Sequence, residues 1–231
     1  MKKKIIAGLL LGAVFAYLSL KDIDFNAVAQ SFSSLRYGYI LPVVIVLCFM
    51  QFLRSYRWGV ILRPVAAVDQ VSLFSVTSVG FLAIIAIPAR LGELARPYLI
   101  ARRRDLAMTA ALGSIFLERV FDVLTILLMF FAVAFVTPMP SWMTKSAVVV
   151  FIIGIVLVSV MIVSLTHKNA SLRFLLPMIR RLPERYSQKV ESLMDHFIGG
   201  FAMIADIRLI LYVAFLSLGI WGIGTLAIYL L

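Results

Sequence analysis

Six charged residues stand inside or beside otherwise apolar runs: Arg90, Glu93 and Arg96 in one segment, and Glu118, Arg119 and Asp122 in another. Three are cationic and three anionic, so the set can neutralise itself. Arg90, Glu93 and Arg96 recur at intervals of three, which places them on one side of a short helix between Pro88 and Pro97. Glu118 and Asp122 are four apart and share a helix face, within reach of Arg119. A charge at the bilayer centre costs roughly 2.5–3.5 kcal/mol on insertion scales. Such residues persist where they meet one another or a polar substrate. A guanidinium is a planar, permanently charged fork that suits phosphate. The chemistry expected is therefore phosphate recognition by Arg90, Arg96 and Arg119. Glu93, Glu118 and Asp122 would hold the arginines in place and keep the phosphate releasable. The economical arrangement brings the first group against a helix over 106–124, across a polar cavity. The alternative is a salt-bridge network that only fixes the fold.

The elements that must position these residues follow from composition. The chain has 231 residues, 63% apolar and only 14% charged, with mean hydropathy +1.05. A soluble domain is nearer half apolar and a quarter charged, so soluble, disordered and fibrous classes are excluded. The apolar runs are continuous rather than alternating, which excludes a β-barrel wall. The fold class expected is all-α: a polytopic helical membrane protein, with 1–231 forming a single integral membrane domain. Lys and Arg number 22 against 11 Asp and Glu, a net charge of +11. In a soluble protein that excess would suggest nucleic acid. Here the basic residues flank apolar runs, as the positive-inside rule describes. Membrane phospholipids are the partners expected, and nucleic acid is not.

The chain opens Met1-Lys2-Lys3-Lys4, followed by an apolar stretch from Ile5 to Leu20. Ala27-Val28-Ala29 resembles a cleavage triplet, but Lys21, Asp22 and Asp24 intervene. The reading is an uncleaved first helix, N-terminus inside, in the cell (inner) membrane. Residues 22–36 read as an interfacial helix capped by Asp24, with Phe25, Val28, Ala29, Phe32 and Leu35 on one face. A span follows from Ile40 to Leu53. It ends in a basic aromatic belt of Arg54, Tyr56, Arg57, Trp58 and Arg63. Arg54, Arg57 and Trp58 are expected to touch headgroups there. If the apolar stretch after Val71 crossed fully, Arg102-Arg103-Arg104 would face outside. Keeping the triplet inside makes 71–97 a re-entrant helical hairpin, broken at Pro88 and Gly92.

Residues 106–136 exceed the roughly 20 that a straight span needs, so they form either one tilted helix or a short helix plus a span. Thr137 to Ser141 reads as an external turn, and 144–165 returns inside. The segment 166–206 is expected to be cytoplasmic and amphipathic. Tyr186, Val190, Leu193, Met194, Phe197, Ile198 and Phe201 form its apolar stripe. The last span covers 207–231, with Gly219, Gly222 and Gly224 as packing glycines. His167 and His196 have no companion ligands, Cys48 stands alone, and no phosphate-binding glycine loop or Ser/His/Asp order appears. No metal, cofactor or catalytic residue is expected. The oligomeric state is left open, a homodimer included.

The stretch Pro88-Ala89-Arg90-Leu91-Gly92-Glu93-Leu94-Ala95-Arg96, followed by Leu117-Glu118-Arg119-Val120-Phe121-Asp122, resembles the lysylphosphatidylglycerol synthase transmembrane-region family, also called the flippase-like domain. Arg54-Ser55-Tyr56-Arg57-Trp58 is similar to its upstream element. The resemblance implies a polytopic bundle with re-entrant segments and translocation of lipid between leaflets. It implies aminoacylated phosphatidylglycerol, another anionic lipid or a polyprenyl-linked lipid as substrate. The sequence departs from the family in two ways. Nothing in it resembles the soluble aminoacyltransferase domain of relatives that make lysyl-lipid. Many members continue through further spans, so a truncated or minimal member is expected. The competing readings are a membrane enzyme, either phosphatidylglycerol lysyltransferase-like or a lipid-linked-sugar glycosyltransferase, and a lipid-synthesis scaffold.

Overall fold

The computed structural model describes residues 8, 12–15, 17–21, 23, 24, 26, 30, 37–86, 92–103, 106–167 and 184–230. Among them there is no strand, as the composition requires. Two compact units are distinguished, Met1–Pro42 and Val43–Leu231. In the first, the backbone is helical at residues 12–15 and 17–20. Asp24 accepts the backbone N–H of Asn26 at 2.9 Å, the local bond expected of a helix-starting aspartate. The apolar face expected over Phe25, Val28, Ala29, Phe32 and Leu35 lies outside the described residues, as do residues 5–7, 9–11 and 16 of the expected first span.

A short 3-10 turn, Tyr37–Tyr39, leads into α1, Ile40–Leu62. There follow α2, Gln70–Ala86; α3, Ala95–Arg103; α4, Met108–Val136; α5, Ser141–Thr166; α6, Glu184–Gly199; and α7, Ile207–Leu230. Among the described residues, four stretches are long and apolar enough to cross a membrane: Tyr37–Leu62, α4, α5 and α7. α1 continues nine residues beyond the Leu53 boundary read from hydropathy. Arg54, Arg57 and Trp58 therefore belong to the body of the helix and not to a belt beyond its end.

α4 is one continuous helix, which settles the choice left open for 106–136. It stops where Pro138 disfavours helical backbone at the preceding residue, and Thr137 is extended at φ −120° and ψ 130°. α5 begins directly after Pro140 and returns antiparallel to α4. Phe131 meets Phe151 edge-on at 5.7 Å between centroids, and Leu124 lies on Gly154. Most of α5 is exposed apolar surface, including Val149, Ile152 and Val156. That surface is what a lipid-facing helix presents.

α2 starts where Asp69 accepts the Ser72 N–H at 2.9 Å, an N-terminal cap. α2 and α3 form an antiparallel helical hairpin. The stem of Arg96 lies on Gly80, and Gly92 sits on the backbone of Ala83 and Ile84 with no room for a Cβ. The tip, 87–91, lies outside the described residues. α6 docks on the first half of α4 by backbone contact: a Cβ on Gly113 would collide with the Phe197 carbonyl, and one on Gly200 with the Ala110 carbonyl. Ile198 and Phe201 of the expected stripe are buried there, while Leu193 is exposed. Of the glycines expected to pack in α7, only Gly224 has a neighbour, the Met50 sulfur.

Two apolar clusters hold the bundle. One gathers Val60, Ile61, Leu117, Met203 and Val213. The other gathers Trp58, Leu62, Leu73, Ile100 and Ile115. Both draw on α1 and α4, and the polar layer between these helices is the candidate site.

Candidate functional site

Glu118 and Asp122 occupy one face of α4, as their spacing requires. Asp122 stands fourteen residues from each end of that helix, roughly 21 Å of rise on either side. Three arginines converge on the two carboxylates. Arg57 of α1 donates through Nη1 to Asp122 Oδ1 at 2.7 Å and through Nη2 to Glu118 Oε1 at 3.1 Å. Arg96 of α3 donates through Nη2 to the other Glu118 oxygen at 3.0 Å. Arg119 reaches Asp122 Oδ2 at 3.2 Å and stands 3.6 Å from Glu118 Oε1.

Polar groups of the other elements complete the set. Arg57 Nη1 also donates to the Ser217 hydroxyl at 2.7 Å. The Trp221 indole donates to Asp122 Oδ1 at 3.2 Å. The Arg96 guanidinium lies over the Trp58 ring at 4.4 Å, and the Trp58 indole donates to Ser114 at 3.1 Å. α1, α3, α4 and α7 are thereby tied at one level.

Arg57, Arg96 and Glu118 are at most 2% exposed, and Asp122 is 7% exposed. These four carry equal and opposite charge, which is the condition under which buried ions persist. The Arg119 side chain differs, being 45% exposed. A cavity of about 80 Å³ adjoins the network, lined by Arg54, Arg57, Arg119, Glu118, Asp122, Phe81, Ile220 and Trp221. Its wall holds three guanidinium groups against two carboxylates, an excess of one positive charge. Arg54 rests over the Phe81 ring at 5.0 Å; among the described residues no carboxylate pairs with it. Two buried donors, Nε of Arg57 and Nε of Arg96, also have no hydrogen-bond partner among the described residues.

The structure brings together two of the three expected carboxylates and part of the expected cation set. Arg96, Glu118, Arg119 and Asp122 join as expected, linking the hairpin to α4. Arg90 lies outside the described residues. Glu93 does not join: α3 begins only at Ala95, so Glu93 falls in the preceding 3-10 turn and is exposed. Arg57 and Trp58 were expected at the headgroup layer and are instead buried at the centre of the network, because α1 carries them inward of its end. Ser114, Ser217 and Trp221 were missed. Ser217 and Trp221 are four apart in the last span, and that single-face pairing of polar atoms was the available signal.

A bundle of apolar helices around a paired ionic layer defines a multi-pass integral membrane protein. The chain matches the family described as the lysylphosphatidylglycerol synthase TM region over residues 5–231, and it belongs to that family. No curated protein and no solved structure gives a significant match.

Proposed function

We propose that this protein binds an anionic phospholipid, aminoacylated or polyprenyl-linked forms included, and passes its headgroup between leaflets through the Arg/Glu/Asp layer. The observation that carries this reading is the surplus of positive charge around a cavity halfway along α4. Arg57 and Arg96 are committed to Glu118 and Asp122 and act as positioning residues. Arg119 and Arg54 are the cations left to meet a phosphate. A phosphodiester entering the cavity would exchange its water for these fixed charges, which lowers the cost of crossing the apolar core. Glu118 and Asp122 keep the arginines aligned while the site is empty and weaken the hold on phosphate enough for release.

The reading places the α2–α3 hairpin as a re-entrant element that dips into the cell membrane and returns. One structural fact favours it. α1 and α4 run antiparallel, since Arg57 meets Asp122 while Leu62 clusters with Leu106. The 63–107 segment therefore begins and ends at the same end of this helix pair. The sidedness proposed puts that end, the 166–206 segment and the N-terminus in the cytoplasm.

The test is a leaflet-sidedness assay in liposomes with a fluorescent phosphatidylglycerol. Substituting Arg119→Gln and Arg54→Gln together removes the available charge without breaking the buried pairs. Exchange is expected to fall at least about tenfold, the loss of one charge-assisted contact. Exchange equal to wild type would leave a network that only fixes the fold.

A further inference from the structure

A second cavity, about 610 Å³, opens on a different face of α1 from the ionic layer. Phe52 and Tyr56 line it from α1, Gln70 from the start of α2, and Arg63, Ala67 and Asp69 from the connection between them. Its size is that of a pocket for an organic ligand, about 300–1,000 Å³, and far exceeds what an inorganic ion needs.

The lining has donors to spare. Arg63 is exposed, and among the described residues no carboxylate pairs with it. The hydroxyls of Tyr56 and Tyr212 are 3.1 Å apart. Two phenols bring two protons and use one between them, so one O–H remains to donate outward. Gln70 is held by its bond to Ser55 at 2.8 Å. The Asp69 carboxylate is fixed in the wall by capping α2, and a second negative charge on a ligand would face it at a cost. Phe52 stacks on Tyr56 at 6.5 Å. Beyond it Phe49 and Ile45 continue the same helix face, both exposed. An apolar track thus runs from the cavity along the lipid-facing side of α1.

We infer that this cavity is a docking site for a phospholipid with a singly charged phosphodiester. The phosphate meets Arg63 and the Tyr56–Tyr212 pair, and one acyl chain lies along Phe52, Phe49 and Ile45. The site does not depend on the translocation reading, since it holds a lipid even in a protein that moves none.

The experiment is photolabelling of the full chain in maltoside micelles, using a phosphatidylglycerol with a photoreactive group near the glycerol end of one acyl chain. Labelled peptides are expected to map to residues 52–73. Unlabelled phosphatidylglycerol should compete, and inorganic phosphate should not. Arg63→Gln is expected to lower labelling about tenfold, one charge-assisted contact. Ala67→Trp, which fills the cavity from an exposed position, is expected to lower it as well. Labelling of 52–73 no stronger than labelling of α5 overturns the inference. So does competition by inorganic phosphate, or unchanged labelling in both variants. Labelling that survives while leaflet exchange proves absent removes the translocation reading and leaves this site standing.

Discussion

Glu118 is the residue on which the ionic layer closes. Its Oε1 accepts from Arg57 and its Oε2 from Arg96, whose Nη1 also reaches Oε1 at 3.5 Å, so Glu118→Gln leaves two buried guanidiniums with one full carboxylate between them. Removing one partner of a buried pair costs about 3–5 kcal/mol, and the loss should appear as a large fall in thermal unfolding temperature in detergent. Arg119→Gln should cost less than about 1 kcal/mol, the range for exposed pairs, because its side chain is 45% exposed. Equal destabilisation by the two substitutions would contradict the distinction between the buried positioning residues and the exposed Arg119. Part of this was legible beforehand. The spacing of Glu118 and Asp122 and the proximity of Arg119 are properties of one helix, and local geometry carries them. The place of Arg57 was not legible, because its partner Asp122 is 65 residues away and no local rule links them.

Glycines govern how the elements meet. Gly113 and Gly200 let the backbones of α4 and α6 touch. Gly113→Val drives a branched side chain into a carbonyl that cannot yield, so α6 should lift from α4. Limited trypsin digestion reads this as faster cleavage at Lys189, with the α4–α5 hairpin still intact. Gly222→Ala is the control, since a Cβ there meets nothing within 4 Å; it should leave digestion unchanged. Hydropathy located α4, α5 and α7 well, because each is long and strongly apolar on average despite the few charges it carries. It ended α1 too early. Arg54, Arg57 and Arg63 lower the window average, while the helix runs on to Leu62 with its polar side chains turned into protein.

The molecule as a whole offers a natural probe of its placement. Cys48 is the only cysteine and is exposed on α1, nine residues before Arg57, roughly 13 Å further along the helix. In sealed vesicles a membrane-impermeant maleimide should fail to label it, and denaturation in detergent should reveal it. Rapid labelling of intact vesicles would put the middle of α1 in water.

The sequence by itself determined the solvent this protein folds in, its helical class and its family. Hydropathy adds along a window and needs no partner, and the paired charged motifs are contiguous. The tertiary structure alone decided which cations meet Glu118 and Asp122, that Glu93 stays outside, and that Ser217 and Trp221 belong to the layer. Those pairings depend on the depth at which separate helices pass one another. In an apolar medium that depth is set by side chains fitting across close helix contacts such as Gly80 on Arg96, and no single segment contains that fit.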